Sequence, residues 1–166
     1  MRLLRKQLSS NRRNLLATAG SALLAAVALR PRTAAAEVRP DPIRQPETPT
    51  PKEFIRRAFD MRDLASANGD QGYGALIVNG SGEIVGEAPS RVVTNGDPTA
   101  HAEMEAIRHA AHRLGTRHLS GHTLYSSSRP CPMCEAAAYW AGVSKLIYGR
   151  DGEDGGSPKL CHNLLH

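Results

Sequence analysis

The chain has 166 residues, 22% of them charged, three cysteines and a formal net charge of +5. That is the length of one domain, and the absence of any heptad or longer repeat excludes a coiled coil or a solenoid. The charge does not mark a nucleic-acid binder, because residues 1–36 hold seven basic and no acidic residues, leaving 14 basic against 16 acidic in the remainder.

The basic segment comes first. Arg2, Arg5, Lys6, Arg12 and Arg13 precede a modestly apolar, Ala-rich stretch from Leu15 to Leu29, broken by Gly20. Pro31 and Ala34-Ala35-Ala36 follow, small residues of the kind a signal peptidase accepts. The apolar run is short for a membrane span. Residues 1–36 therefore read as a signal peptide. The Arg12-Arg13 pair resembles a Tat signal, which implies an exported, periplasmic or extracellular protein. Residues 37–51, with Pro40, Pro42, Pro46, Pro49 and Pro51, read as an extended linker outside the core. The folded domain is expected over 52–166. Thr50-Pro51-Lys52-Glu53 is a capping box with Pro at the first helical position.

Lys52 to Asn68 carries apolar residues at three- and four-residue steps and predicts a helix. Ala75 to Val78 predicts a strand, Asn79-Gly80-Ser81-Gly82 a turn, and Glu83 to Ala88 the partner strand. Ala100 to Leu114 predicts a helix stopped by Gly115. Thr123 to Ser126 predicts a third strand, Cys131 to Ala141 a third helix and Lys145 to Gly149 a fourth strand. The order α-β-β-α-β-α-β implies an α/β fold, a sheet with helices packed on it.

Two short segments carry chemistry: Asp97-Pro98-Thr99-Ala100-His101-Ala102-Glu103 and Pro130-Cys131-Pro132-Met133-Cys134. One imidazole and two thiolates are borderline-soft donors that suit Zn2+. Three protein donors leave a fourth position for water, the pattern of catalytic zinc. Cys131 and Cys134, three residues apart, can face one ion from the first turn of a helix. Glu103, two residues beyond His101, can stand beside the metal without binding it and act as a proton shuttle. Asp97-Pro98-Thr99 is expected to shape the turn into the helix that carries His101. His109 and His112 read as surface or half-buried polar residues.

The spacing H-x-E followed by P-C-x-x-C is the signature of zinc deaminases. The stretches DPTAHAEMEAIR and LYSSSRPCPMCEAAAYWAG resemble the cytidine-deaminase-like superfamily over most of residues 52–150. Within it, Pro-Cys-Pro-Met-Cys followed by Ala138-Tyr139-Trp140-Ala141 is most similar to guanine deaminases and related purine deaminases. tRNA adenosine deaminases share the DPTAHAE run. The resemblance implies a three-layer α/β/α fold around a mixed sheet, a Zn2+ held by His101, Cys131 and Cys134, and a homodimer. It also implies hydrolytic loss of the exocyclic amine from a purine base, nucleoside or related heterocycle, with Glu103 catalytic. Substrate contacts are expected at Ala75, Ser90, Ala102, Pro130 and Trp140.

The chain departs from the family's pattern at several points. Arg129 stands where Glu commonly precedes Pro-Cys. Ser90 stands where an Asn commonly contacts base or sugar. Gly72-Tyr73-Gly74-Ala75 replaces Pro-Phe-Gly-Ala. Trp140 has two readings, an aromatic lid over a purine or a core or interface residue. Cys161-His162 can be read as extra metal donors, or Cys161 as a free thiol or one paired with another chain. Three further functional readings stand beside the first. One is a zinc-stabilised binding domain without activity. The second is a deaminase of RNA adenosine. The third is a secreted toxin acting on nucleic acid.

Overall fold

The computed structural model describes residues 42–160; the signal peptide expected over 1–36 and Cys161-His162 lie outside the described residues. Helix α1 spans Pro51–Ala67, with Thr50 as its N-cap accepting from the Glu53 N–H at 3.4 Å. Strands β1 (Gly74–Val78) and β2 (Ile84–Pro89) form an antiparallel pair. Helix α2 spans Ala102–Leu114 and ends at Gly115, whose φ of 64° is the left-handed conformation that favours glycine at a helix stop. Strand β3 (Thr123–Ser126), helix α3 (Pro132–Trp140), strand β4 (Lys145–Tyr148) and strand β5 (Glu153–Gly156) complete the order.

The five strands form one mixed sheet in the order β2-β1-β3-β4-β5. β1 pairs antiparallel with β3, β3 pairs parallel with β4, and β4 pairs antiparallel with β5. The parallel pair is joined through α3, as a crossover connection requires. The expected three-layer α/β/α architecture follows from strand parity. Leu76, Val78, Ile84, Tyr125 and Ile147 face α1, packing with Phe54, Ile55, Ala58 and Met61. Ala75, Ile77, Val85, Leu124, Leu146 and Tyr148 face the other way, onto Ala102, Ala106 and Ala110 of α2 and Ala138 of α3.

Small residues bring α2 close to the sheet. A Cβ placed on Gly86 would stand 2.5 Å from the Ala106 carbonyl oxygen and 2.7 Å from the Ala110 nitrogen. The helix that carries His101 and Glu103 is thereby fixed against β2 with almost no slack.

Two expectations are corrected here. β5 was not foreseen. It is the outer strand beyond β4, tied by a 2.6 Å Lys145–Asp154 ion pair and a 3.0 Å bond from the Tyr148 hydroxyl to Glu153. The segment before α1, read as a linker outside the core, also contributes to the domain. Ile43 is buried among Phe54, Leu76 and Ile84. The Gln45 side chain accepts from the Ile84 N–H and donates to the Ile84 carbonyl, both at 2.8 Å. Among the described residues, no helix is long and apolar enough to cross a membrane.

Candidate active site

Two helix starts converge on the site. His101 is the N-cap of α2 and Cys131 the N-cap of α3, both with extended backbone. Pro132 opens α3 at the first helical position, where its missing N–H costs nothing. Cys134 follows within that first turn and is fully buried. His101 Nδ1 lies 3.7 Å from Cys131 Sγ, which lies 3.5 Å from Cys134 Sγ. The donor atoms of these three residues all fall within 4.8 Å of one another, so one ion can touch all three.

Glu103 sits on the second residue of α2 and is only 4% exposed. Its Oε1 accepts from the Ser126 hydroxyl at 2.9 Å, and its Oε2 lies 3.6 Å from Cys134 Sγ. A buried carboxylate beside a buried thiol is costly without a cation. Burial, and then the Glu103 charge, push the Cys134 thiol far above its ordinary value. A dication supplies the missing counter-charge, and imidazole with two sulfurs is a donor set zinc prefers. The residues therefore fit zinc.

A cleft of about 400 Å³ opens over the cluster, lined by Gln71, Tyr73, His101, Glu103, Ser128, Arg129 and Cys131. Its rim is tied together by Asp70. Oδ1 accepts from the Gln71 N–H at 2.8 Å and the Ser90 hydroxyl at 2.9 Å. Oδ2 accepts from the N–H groups of Val93 and Thr94 and from the Thr94 hydroxyl, at 2.8–3.0 Å. Partial burial raises the Asp70 pKa, but bonds from Thr94, Gln71 and Ser90 outweigh it and hold the carboxyl well below the usual range. One side chain thus joins the loop bearing Gln71 and Tyr73 to the loop that leads into His101.

The structure brings His101, Glu103, Cys131 and Cys134 together. It does not place the five expected substrate contacts on the cleft wall. Ala75, Ser90, Ala102 and Pro130 are buried, and the Ser90 hydroxyl is given to Asp70. Trp140 ends α3, at the opposite end from Cys131, and is 73% exposed against Tyr139. Trp140 does not line the cleft, and its exposure excludes a core role. Ser126 was missed, although a polar residue closing the apolar strand Thr123-Leu-Tyr-Ser126 is a signal. Strand parity aims it with Leu124 toward α2. Gln71 and Ser128 were missed too, and nothing in their local sequence marks them.

Three donors at two helix starts, with a carboxylate held aside from them, define an α/β/α domain with a metal centre of the catalytic type. The chain belongs to the cytidine and deoxycytidylate deaminase family: residues 49–150 match the model of its zinc-binding region. It is 41% identical over 102 residues to guanine deaminase of Bacillus subtilis, covering 61% of this chain and 65% of that relative. It is 39% identical over 112 residues to a tRNA-specific adenosine deaminase of Aquifex aeolicus, covering 68% of this chain and 74% of that one. The X-ray structure of the Bacillus subtilis guanine deaminase superposes with a TM-score of 0.57 at 40% identity, over 59% of this chain and 62% of that one. The chain thus spans slightly less than two thirds of the guanine deaminase it matches.

Proposed function

We propose that the protein is a zinc-dependent hydrolytic deaminase that removes the exocyclic amine of a purine base, nucleoside or related heterocycle. The observation that carries this reading is the placement of Glu103: buried, beside the three donors, outside their group, and open to the cleft. His101, Cys131 and Cys134 would hold the zinc, which when bound supplies Lewis acidity to the site. Ser126 donates to one Glu103 oxygen and fixes the plane of the carboxylate. The other oxygen is left to move protons. Glu103 takes a proton from the attacking water as its oxygen adds to the ring carbon. It passes that proton to the adjacent ring nitrogen, and a further proton to the departing amine. The carbon–nitrogen bond breaks, ammonia leaves and a carbonyl remains.

Similarity to both guanine and tRNA adenosine deaminases leaves a free base and an RNA as candidates. The charge favours the small molecule, since 14 basic residues face 16 acidic ones outside residues 1–36. Ammonia release from zinc-loaded protein is expected with at least one member of a panel of aminopurines, aminopyrimidines and pterins. Turnover of a tRNA anticodon stem-loop alone would move the reading to RNA. Ammonia from no compound would support the inactive binding domain instead.

The Arg12-Arg13 pair and the Ala-rich stretch support export as a second part of the proposal. A reporter fused to residues 1–40 is expected in the periplasm, and Arg12→Lys with Arg13→Lys is expected to retain it in the cytoplasm. Unchanged export of the double variant removes the Tat route.

A further inference from the structure

Seven residues line the cleft, and Arg129, exposed to solvent, is the one lysine or arginine among them. Arg129 lies on the connection between β3 and α3, between two anchored points. Ser126 is bonded to Glu103 on one side, and Cys131 joins the donor cluster on the other. Its guanidinium has no ion-pair or hydrogen-bond partner among the described residues. Arg129, Glu135 and Glu153 all act electrostatically on Tyr148, whose hydroxyl donates to Glu153 at 3.0 Å, and neither carboxylate forms an ion pair with Arg129. The metal donors His101 and Cys131, with Gln71, Ser128 and the half-exposed ring of Tyr73, make up the rest of the wall.

Resting on the deaminase reading, we propose that Arg129 selects amine-bearing heterocycles that also carry an anionic oxyacid group, a carboxylate or a phosphate. A guanidinium is weakly hydrated and presents a fork of N–H donors that matches both groups in a bidentate manner. With the amine-bearing carbon at Glu103 and the ring beside Tyr73, the anion meets Arg129 at the mouth. A neutral heterocycle in the same cleft gains nothing from the guanidinium, so the charge favours the anionic member. The cleft volume of about 400 Å³ suits one heterocycle with one substituent; ligand sites span about 300–1,000 Å³.

Matched pairs test this on zinc-loaded full-length protein: pterin against pterin-6-carboxylate, cytosine against cytosine-5-carboxylate, and guanosine against its 5′-monophosphate. In at least one pair the anionic member is expected to have the higher kcat/KM, by about tenfold or more. Arg129→Gln is expected to cut that anionic-to-neutral ratio by about 10- to 100-fold, the factor a charge-assisted hydrogen bond carries. Arg129→Lys, which keeps the charge and loses the fork, should recover part of it. Calorimetric titration of the same pairs should show the same loss in affinity, and added salt should weaken the anionic member only in wild type. The carboxylate and phosphate arms identify which group is read. Equal turnover within every pair, or a ratio unmoved by Arg129→Gln, overturns the inference while ammonia release upholds the deaminase reading. Ammonia from no member of any pair overturns both.

Discussion

Glu103→Gln is expected to keep one zinc per chain and to lose about 10⁴-fold in turnover. General acid–base catalysis by one positioned group contributes about 10²–10⁴-fold, and here a single carboxylate serves water, ring nitrogen and leaving amine in turn. The loss therefore belongs at the upper end or beyond. Glutamine preserves the side chain's length and offers a carbonyl oxygen to the Ser126 hydroxyl, which now bonds Oε1 at 2.9 Å. The donors His101, Cys131 and Cys134 are untouched. The Ser126 bond and the three donors remain, so the variant is expected to stay folded. Turnover on a substrate from the ammonia screen, elemental analysis and a melting curve decide the matter together. Full zinc with near-normal turnover would refute the proposed role of Glu103.

His101→Ala acts on the other half of the site and should fail in the opposite way. It removes the donor that sits at the N-cap of α2 and leaves two thiols, one of them fully buried. Zinc content is expected to fall below a tenth of an equivalent. Metal binding is coupled to folding. A ligand present at a thousandfold excess over its dissociation constant stabilises the fold by about 4 kcal/mol. Losing that should lower the melting temperature by roughly 10–20 °C for a unit of this size. Chelation provides the control: it should bring wild type down to the variant's temperature and leave the variant where it is. A variant that retains its zinc, or a chelator that lowers both proteins equally, contradicts the assignment of His101 as a donor.

The site was legible where its chemistry is local. His101 and Glu103 lie within one helical turn, and Cys131 and Cys134 within another, so residue type and spacing alone bring the groups into reach. Elements with an apolar period were legible for the same reason. Strand β5 was not, because Glu153-Asp-Gly-Gly has no alternation and is held by backbone pairing and by side-chain partners five and nine residues back. Trp140 is close to the metal motif in sequence only, and does not line the cleft. Six residues separate it from Cys134, but a helix rises 1.5 Å per residue, which carries the indole about 9 Å along α3 and away from the cleft. The roles of Ser90 and Gln45 needed the tertiary fold, since their partners Asp70 and Ile84 are 20 and 39 residues distant.

The pairing of Gln45 with Ile84 has a consequence for how the chain behaves when trimmed. β2 is an outer strand of the sheet, and outer strands present unpaired backbone groups to any other chain that can add a strand. Gln45 answers both the N–H and the carbonyl of Ile84 with one amide, and Ile43 covers the apolar surface next to it. A version starting at Pro51 would keep every helix and strand of the described residues and His101, Cys131 and Cys134, yet it would bare that edge. Such a protein is expected to fold and then self-associate. The stretch that looks like a tether in the sequence thus covers the start of an outer strand.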